Sequence, residues 1–148
     1  MFTEIEQQAL DIDWFFTDNK EVGFVASGAG KLPKSFAKIE KHDLLVSYFR
    51  NLPETSDFSL NNDLNNILPH EIDDEYLCDF IFMSKRGLYS FDKTVLNNFN
   101  EPNYHLVTKP QNPLNFIDLP HDIKEILCET VFNGNLNEIL NIDVSKIQ

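Results

Sequence analysis

The chain has 148 residues, of which 42% are hydrophobic and 24% are charged, with 5 Gly and 7 Pro. These values lie near the averages of globular proteins, and they exclude collagenous, coiled-coil and low-complexity disordered chains. The 24 acidic and 12 basic residues give a net charge of −12. This charge opposes binding to nucleic acid and to anionic membranes and favours a basic protein partner, although it also serves solubility.

A chain of this length buries roughly 68–70% of the surface of its unfolded form. Its 13 Phe, 4 Tyr and single Trp can build the core of one domain over residues 1–148, so we expect no disulfide, metal or cofactor to be needed. The N-terminus lacks the pattern of a secretory signal, and no apolar run approaches the ~18 residues of a membrane span. A cytoplasmic protein is predicted, with Cys78 and Cys128 as small buried hydrophobes; a disulfide between them remains an alternative.

The first elements are a short helix and a hairpin. Residues 3–10 predict the helix, and the aromatic run from Trp14 predicts a strand. This strand turns at Asp18-Asn19-Lys20 and returns through Val22–Ala26, which is the pattern of a β-hairpin.

A helical pattern follows the hairpin. Pro33 suits the first position of a helix, and apolar residues then recur at helical spacing until Pro53. His42-Asp43 marks either a kink or a step from one helix to another.

Residues 51–84 contain acidic residues and no basic ones. Within this segment, residues 53–72 are rich in Asn, Asp and Ser, and they predict a long acidic loop, which in a compact domain is usually functional or partly disordered. The acidic residues of the segment are Glu54, Asp57, Asp63, Glu71, Asp73, Asp74, Glu75 and Asp79.

A second hairpin is predicted after this loop. Tyr76–Met83 is almost continuously apolar and predicts a strand, Lys85-Arg86-Gly87 supplies a turn, and Leu88–Phe91 predicts the returning strand. Tyr104–Thr108 predicts an edge strand, because prolines that cannot donate to a ladder follow it.

The last predicted helix begins at Pro120, carries Ile123 and Ile126 on one face, and ends at Asn133-Gly134. These elements predict an α+β fold with a mainly antiparallel sheet of four to five strands packed against two main helices. The residues expected in the core are Trp14, Phe16, Phe36, Phe49, Phe80, Phe82, Tyr89 and Ile126.

The string Ser27-Gly28-Ala29-Gly30-Lys31 has the composition of a phosphate-binding loop but not its spacing. Val25 occupies the position of the first Walker glycine, and Leu32 occupies the position of the metal-binding Ser or Thr. The third glycine of a dinucleotide fingerprint would fall at Pro33. The string therefore predicts a glycine turn between a strand and a helix.

Metal-binding and catalytic patterns are also incomplete. Asp11-x-Asp13 and Asp73-Asp74-Glu75 lack the order of an EF-hand loop, so capping and solubility explain them better than calcium. The four histidines have no zinc-ligand spacing, and the chain has neither C-x-x-C nor G-x-S-x-G. No catalytic, metal or cofactor residue is therefore assigned.

Three pieces of the sequence resemble one group of proteins. The pieces are Asp13-Trp14-Phe15-Phe16 with Gly28-Ala29-Gly30-Lys31-Leu32-Pro33, then Arg86-Gly87-Leu88-Tyr89-Ser90-Phe91-Asp92, and then Tyr104-His105-Leu106-Val107-Thr108-Lys109-Pro110 leading to Pro113-Leu114 and Leu119-Pro120. Together they resemble small acidic bacterial immunity proteins encoded beside polymorphic or contact-dependent toxins. The piece Gly30-x-Leu32-Pro33-x-x-Phe36 is similar to the SUKH immunity superfamily, whereas the glutamate-rich lead-in and later Asn-Gly of that superfamily do not occur at matching places.

The resemblance implies a stoichiometric inhibitor that binds a toxin domain encoded nearby and has no turnover. It carries over no individual contact residues, because no shared motif defines them. The alternatives are a small cytoplasmic enzyme whose carboxylates or Cys78 are assembled only by the fold, and a regulatory adaptor.

We expect the partner surface on the acidic segment. Ordering a long loop of mutually repelling carboxylates is costly, and a basic partner supplies the missing counter-charge. A solvated, mobile insertion is the alternative. The residues expected to bind the partner are Asp57, Asp63, Glu71, Asp73, Asp74 and Glu75.

Overall fold

The computed structural model describes residues 1–148 and has an α+β architecture with one curled sheet of six strands. The strands are β1 (Asp13–Thr17), β2 (Val22–Ala26), β3 (Phe58–Leu60), β4 (Tyr89–Lys93), β5 (Asn103–Pro110) and β6 (Asn141–Asp143). The helices are α1 (Glu4–Ala9), α2 (Lys34–Ala37), α3 (His42–Arg50), α4 (Leu64–Ile67), α5 (Asp74–Ser84) and α6 (His121–Leu127). None of these helices combines the length and the apolar character that a membrane crossing requires.

The strand order in the sheet is β1-β2-β4-β5-β3, and β6 pairs with the N-terminal half of β5. β2 and β4 are parallel, whereas the other pairs are antiparallel. The sheet is therefore mixed, and the expectation of a mainly antiparallel sheet is wrong. The parallel pair arises because the connection from β2 to β4 is a long crossover that contains α2, α3, α4 and α5.

The first predicted hairpin is confirmed, since β1 and β2 pair along their whole length. Asn19 in the turn has φ of 71°, a left-handed conformation that Asn adopts more readily than most residues. The Asp18 carboxylate accepts the backbone N–H groups of Lys20 and Glu21 at 2.9 and 2.7 Å. This short polar side chain therefore stabilises the turn that the sequence predicts.

The predicted strand Tyr76–Met83 is wrong, because these residues belong to α5. Asp73 caps this helix by accepting a backbone N–H three residues further on. Leu77, Phe80 and Met83 recur every three residues and are buried, and Ile81 and Phe82 between them are partly buried. In a short stretch of sequence, the pattern of a helix that is apolar on most sides is the same as that of a buried strand. The second predicted hairpin therefore does not exist.

The helices begin where proline predicts but are shorter and more numerous than expected. The pattern after Pro33 is divided into α2 and α3, and α3 begins at His42, where a step was one of the two expectations. The helix after Pro120 ends at Leu127 instead of reaching Asn133-Gly134. The fold thus has six helices, of which α3, α5 and α6 are the longest, instead of two main ones.

β5 is not an edge strand. It pairs with β4 on one side and with both β3 and β6 on the other. β3 comes from residues 53–72, predicted as one long loop, and the same segment also contains α4. A short strand and a single helical turn therefore lie within this connection.

The core lies on both faces of the sheet. Trp14 and Phe16 point to one face, where the Phe16 ring lies 5.7 Å from the ring of Phe91. Phe15 points to the other face and lies 4.8 Å from the ring of Phe49 on α3. This double coverage explains why β1 and β2 are apolar at successive positions. Of the predicted core residues only Phe82 is half-buried, and the others are buried: Trp14, Phe16, Phe36, Phe49, Phe80, Tyr89 and Ile126.

The expectation of two buried cysteines is wrong. Cys78 and Cys128 are free and exposed. Cys78 lies on α5 between inward-facing residues, and Cys128 follows the last residue of α6. In a helix, the residue beside a buried position points about 100° away from it, so the corrected secondary structure accounts for the exposure of Cys78.

Candidate functional site

A cleft of about 590 Å³ lies beside the N-terminal half of β5. It is bounded by α4, by the segment after β4 and by the start of β6. Its lining includes the carboxylates Asp63 and Glu101, and also Ile67, Val95 and Leu140. We call it the asparagine cleft after four further lining residues, Asn61, Asn66, Asn103 and Asn141.

Asn61 builds one wall of the asparagine cleft. Its backbone N–H donates to the carbonyl of Val107 at 2.9 Å, and its side-chain Nδ2 donates to the carbonyl of Leu106 at 2.8 Å. Its Oδ1 accepts the backbone N–H of Asp63 at 3.1 Å. The backbone and side chain of one buried residue therefore satisfy the edge of β5 between β3 and β6, and the side chain also positions Asp63 at the cleft.

A network of side chains from three elements lies at the cleft. The Tyr76 hydroxyl on α5 donates to Oδ2 of Asp92 on β4 at 2.6 Å, and it lies 3.5 Å from Nε2 of His105 on β5. Oγ1 of Thr94 lies 3.1 Å from Nδ1 of His105. His105 and Thr94 line the cleft, and His105 is 2% exposed.

Burial shifts the titration of this network in opposite directions. It raises the pKa of Asp92 to about 6, although the hydrogen bond from Tyr76 acts the other way. It lowers the pKa of His105 to about 4, with a smaller electrostatic contribution from His70 in the same direction. Burial beside Asp92 also raises the pKa of Tyr76. At neutral pH, Asp92 is thus mainly ionised, whereas His105 is neutral.

A buried cation next to Glu101 is already engaged. The Lys93 side chain is 1% exposed, and its ammonium donates to the backbone carbonyl of Glu101. The ammonium also lies 3.6 Å from the Glu101 carboxylate and 5.5 Å from the centre of the Tyr104 ring. Burial lowers the pKa of Lys93, and Glu101 opposes that shift. Because Lys93 offsets Glu101, Asp63 is the carboxylate at the cleft with no counter-ion.

The six residues predicted to bind a partner are all exposed, and none forms an ion pair. Asp63 lines the asparagine cleft. Four more of the six lie at or just before the N-terminus of α5: Glu71, Asp73, Asp74 and Glu75. Asp73 is the cap of this helix.

Asp57 lies apart from the other five. It precedes β3, and its carbonyl accepts the N–H of Gln111 just after the C-terminal end of β5. Tyr76, near the start of α5, instead reaches His105 in the N-terminal half of β5. The structure therefore places Asp57 at the opposite end of the sheet from the N-terminus of α5.

Sequence reasoning did not find the residues of the network. Asp92, Thr94 and His105 are ordinary strand or loop residues in the sequence, and no motif connects them with Tyr76. Asn61 and Asn66 lie in the segment whose composition predicts a loop, whereas Asn103 and Asn141 belong to no predicted feature. Only the pairing of β4, β5 and β6 brings these residues together.

The glycine string forms a turn, as predicted. Gly28 and Ala29 have φ of 54° and 59°, and the N–H of Gly28 donates to Oδ1 of Asp11 at 2.9 Å. A side chain at Gly30 would meet Lys93 and the Tyr104 hydroxyl, so glycine permits this close approach. Asp11 is thus a cap for the turn. No group of three or more His, Cys, Asp or Glu side chains has an arrangement that could hold a metal ion.

Comparison with known proteins finds no matching family model and no significantly similar curated protein or solved structure. Function is therefore inferred from the residues of this chain.

Proposed function

We propose that this protein is an immunity or inhibitor protein that binds a cationic bacterial toxin domain stoichiometrically and without turnover. The observation that carries the proposal is the set of exposed carboxylates without counter-ions beside the asparagine cleft. We call this set the acidic face. It consists of Asp63, Glu71, Asp73, Asp74 and Glu75.

The charge of the acidic face favours a basic partner. Residues 51–84 contain no Lys or Arg that could neutralise it. The positive end of the α5 dipole favours Asp73, Asp74 and Glu75 within the folded chain, so their repulsion is compatible with folding. A field of this sign accelerates encounter with a basic surface, and a net charge of −12 adds to it.

The surroundings of the acidic face have the composition of a protein interface. Leu60 is 43% exposed and Leu140 is 54% exposed. A second, smaller cleft joins these two residues, and it shares Asn61, Asp63 and Leu140 with the asparagine cleft. Apolar side chains next to polar groups and a charged rim are typical of protein–protein contacts.

The decisive variant neutralises three of the five carboxylates of the acidic face and keeps Asp73, the cap of α5. In Glu71→Gln/Asp74→Asn/Glu75→Gln, we expect association with the purified cationic toxin domain encoded beside the gene to slow by about tenfold at low salt. The salt dependence of the rate should shrink as well. The matched control Glu4→Gln/Glu40→Gln/Glu129→Gln removes the same charge from exposed residues on other elements and should have a smaller effect.

Stopped-flow association at low and high salt measures both effects. Equal association rates in the two triple variants would mean that the partner binds at another surface. If the toxin domain kills cells that contain an equal level of the wild-type protein, the immunity function is refuted. Complete inhibition is expected at one equivalent. Complete inhibition at a small fraction of an equivalent would instead favour the enzyme alternative, for which the Thr94–His105 contact offers a hydroxyl beside a neutral imidazole.

A further inference from the structure

We infer that the asparagine cleft receives an arginine side chain of the basic partner, with the guanidinium at Asp63 and the aliphatic stem along the apolar wall. This inference rests on the proposed function for the identity of the partner, whereas the binding chemistry is a property of the cleft itself. The acidic face attracts a basic partner by its charge, and the cleft adds one specific binding site, which recognises a guanidinium group.

The cleft has several hydrogen-bond acceptors without an internal donor. The Asp63 carboxylate accepts no hydrogen bond within the chain, and the Asn66 and Asn141 carboxamides also have no side-chain partner. Asn103 uses its Nδ2 to donate to Glu101, which leaves its Oδ1 free. A guanidinium has five N–H donors and no acceptor, so it complements this set.

The apolar part of the lining fits the stem of the same side chain. Ile67, Val95 and Leu140 line the cleft beside these acceptors, and Val95 is 41% exposed. Arginine buries its methylene groups along apolar surface while its charged end reaches polar groups. A compact inorganic cation would leave this part of the lining uncovered.

The acidic side chains that line the asparagine cleft, Asp63 and Glu101, select against anions. Lys93 is buried and bound to Glu101, so its charge is not offered to a ligand. His105 is neutral at the cleft, and the Asp63 carboxyl group is exposed and has no counter-ion. Because guanidinium is more weakly hydrated than ammonium and matches planar acceptors, arginine suits the cleft better than lysine does.

The test uses a blocked pentapeptide with one central arginine between glycines, and a matched peptide with uncharged citrulline at that position. We expect the arginine peptide to cause saturable changes in the amide NMR signals of Asn66, Thr94 and Asn141. The citrulline peptide should cause none at the same concentration. Asp63→Asn should weaken binding of the arginine peptide by about two- to fivefold, as expected for one exposed charge pair.

Asp57→Asn is the matched control, since it removes the same charge from an exposed residue at the other end of the sheet. It should leave binding unchanged, and the amide spectra of both variants should show that they are folded. Equal binding of the two peptides, or equal losses in the two variants, would overturn the inference. Tighter binding of free arginine than of the blocked peptide would overturn the assignment to a protein partner.

The two proposals can fail separately. If the arginine peptide does not bind but the protein inhibits the toxin domain at one equivalent, the anchor is refuted and the proposed function stands. If the peptide binds at Asp63 but the toxin domain is not inhibited, the inhibitor function is refuted and the arginine site stands.

Discussion

Asp92 and His105 face each other across β4 and β5, and the fold shifts their pKa values in opposite directions. The pKa of Asp92 rises from 3.8 to about 6, so the folded state binds this proton more tightly and stability falls as pH rises from about 4 to 6. The pKa of His105 falls from 6.5 to about 4, so stability rises over nearly the same range. The two contributions therefore oppose each other.

Replacing Asp92 should reveal the contribution of His105 to the pH dependence of stability. In Asp92→Asn, we expect the free energy of unfolding to rise more steeply between pH 4 and 6.5 than in the wild-type protein, by about 2 kcal/mol over the range. Urea unfolding at half-unit steps of pH measures the slope, which is separate from any constant loss caused by the missing hydrogen bond to Tyr76. Parallel profiles for the two proteins would show that Asp92 keeps its ordinary pKa, because His105 is present in both.

At the scale of single elements, α5 shows how the start of a helix determines its type. The apolar run after Tyr76 is compatible with a strand, but Asp73 accepts the N–H of Tyr76 at 2.8 Å, and Asp74 and Glu75 occupy the first turn. Acidic residues at this end are favoured by the helix dipole. The string Asp73-Asp74-Glu75 therefore marks the start of a helix at the residues directly before the apolar run.

The cap should be measurable by comparing two neighbouring aspartates. Asp73→Ala should lower the free energy of unfolding by about 1 kcal/mol, because the N–H of Tyr76 loses its acceptor. Asp74→Ala removes the same charge without a capping hydrogen bond and should cost less, about 0.3–0.5 kcal/mol. Urea unfolding at pH 7 gives both values. Equal losses would mean that charge, and not the hydrogen bond, is what Asp73 contributes.

At the scale of the whole molecule, Arg50 connects three elements. Its Nε and Nη2 donate to Oδ2 of Asp13 on β1 at 2.8 and 2.7 Å. Its Nη1 and Nη2 donate to the two carboxylate oxygens of Asp79 on α5 at 2.7 and 3.0 Å. Arg50 itself ends α3, so one guanidinium holds β1, α3 and α5 together. The hydrogen bonds to Asp79 and to Asp13 raise the pKa of Arg50, whereas burial raises the pKa of Asp13.

We expect that lysine in place of Arg50 does not preserve the stability of the protein. Arg50→Lys keeps the charge but cannot make the forked contacts to two carboxylates, so we expect a loss of about 1–2 kcal/mol, limited because the Arg50 side chain is 30% exposed. Urea unfolding measures the loss. Asp79→Asn should then cost less in the Arg50→Lys protein than in the wild-type protein, since the shared contact is already gone. Additive losses in the double variant would contradict this coupling.

By itself, the sequence determined the α+β class, the first hairpin, the helix starts near Pro33 and Pro120, and most of the buried aromatic residues. These features depend on neighbours in the chain, such as a turn former, a proline or an apolar period, and such local preferences survive into the fold. The sequence also determined the acidity of residues 51–84, because charge follows from composition alone.

Only the tertiary structure decided the parallel pairing of β2 with β4, the helical state of α5 and the asparagine cleft. A short apolar run has similar preferences for helix and strand, so packing against β4 and β5 selects between them. The cleft joins Asn61, Thr94, His105 and Asn141 through the pairing of strands that are distant in the sequence. The free energy of such contacts belongs to pairs of distant residues, and no local stretch of sequence contains both partners.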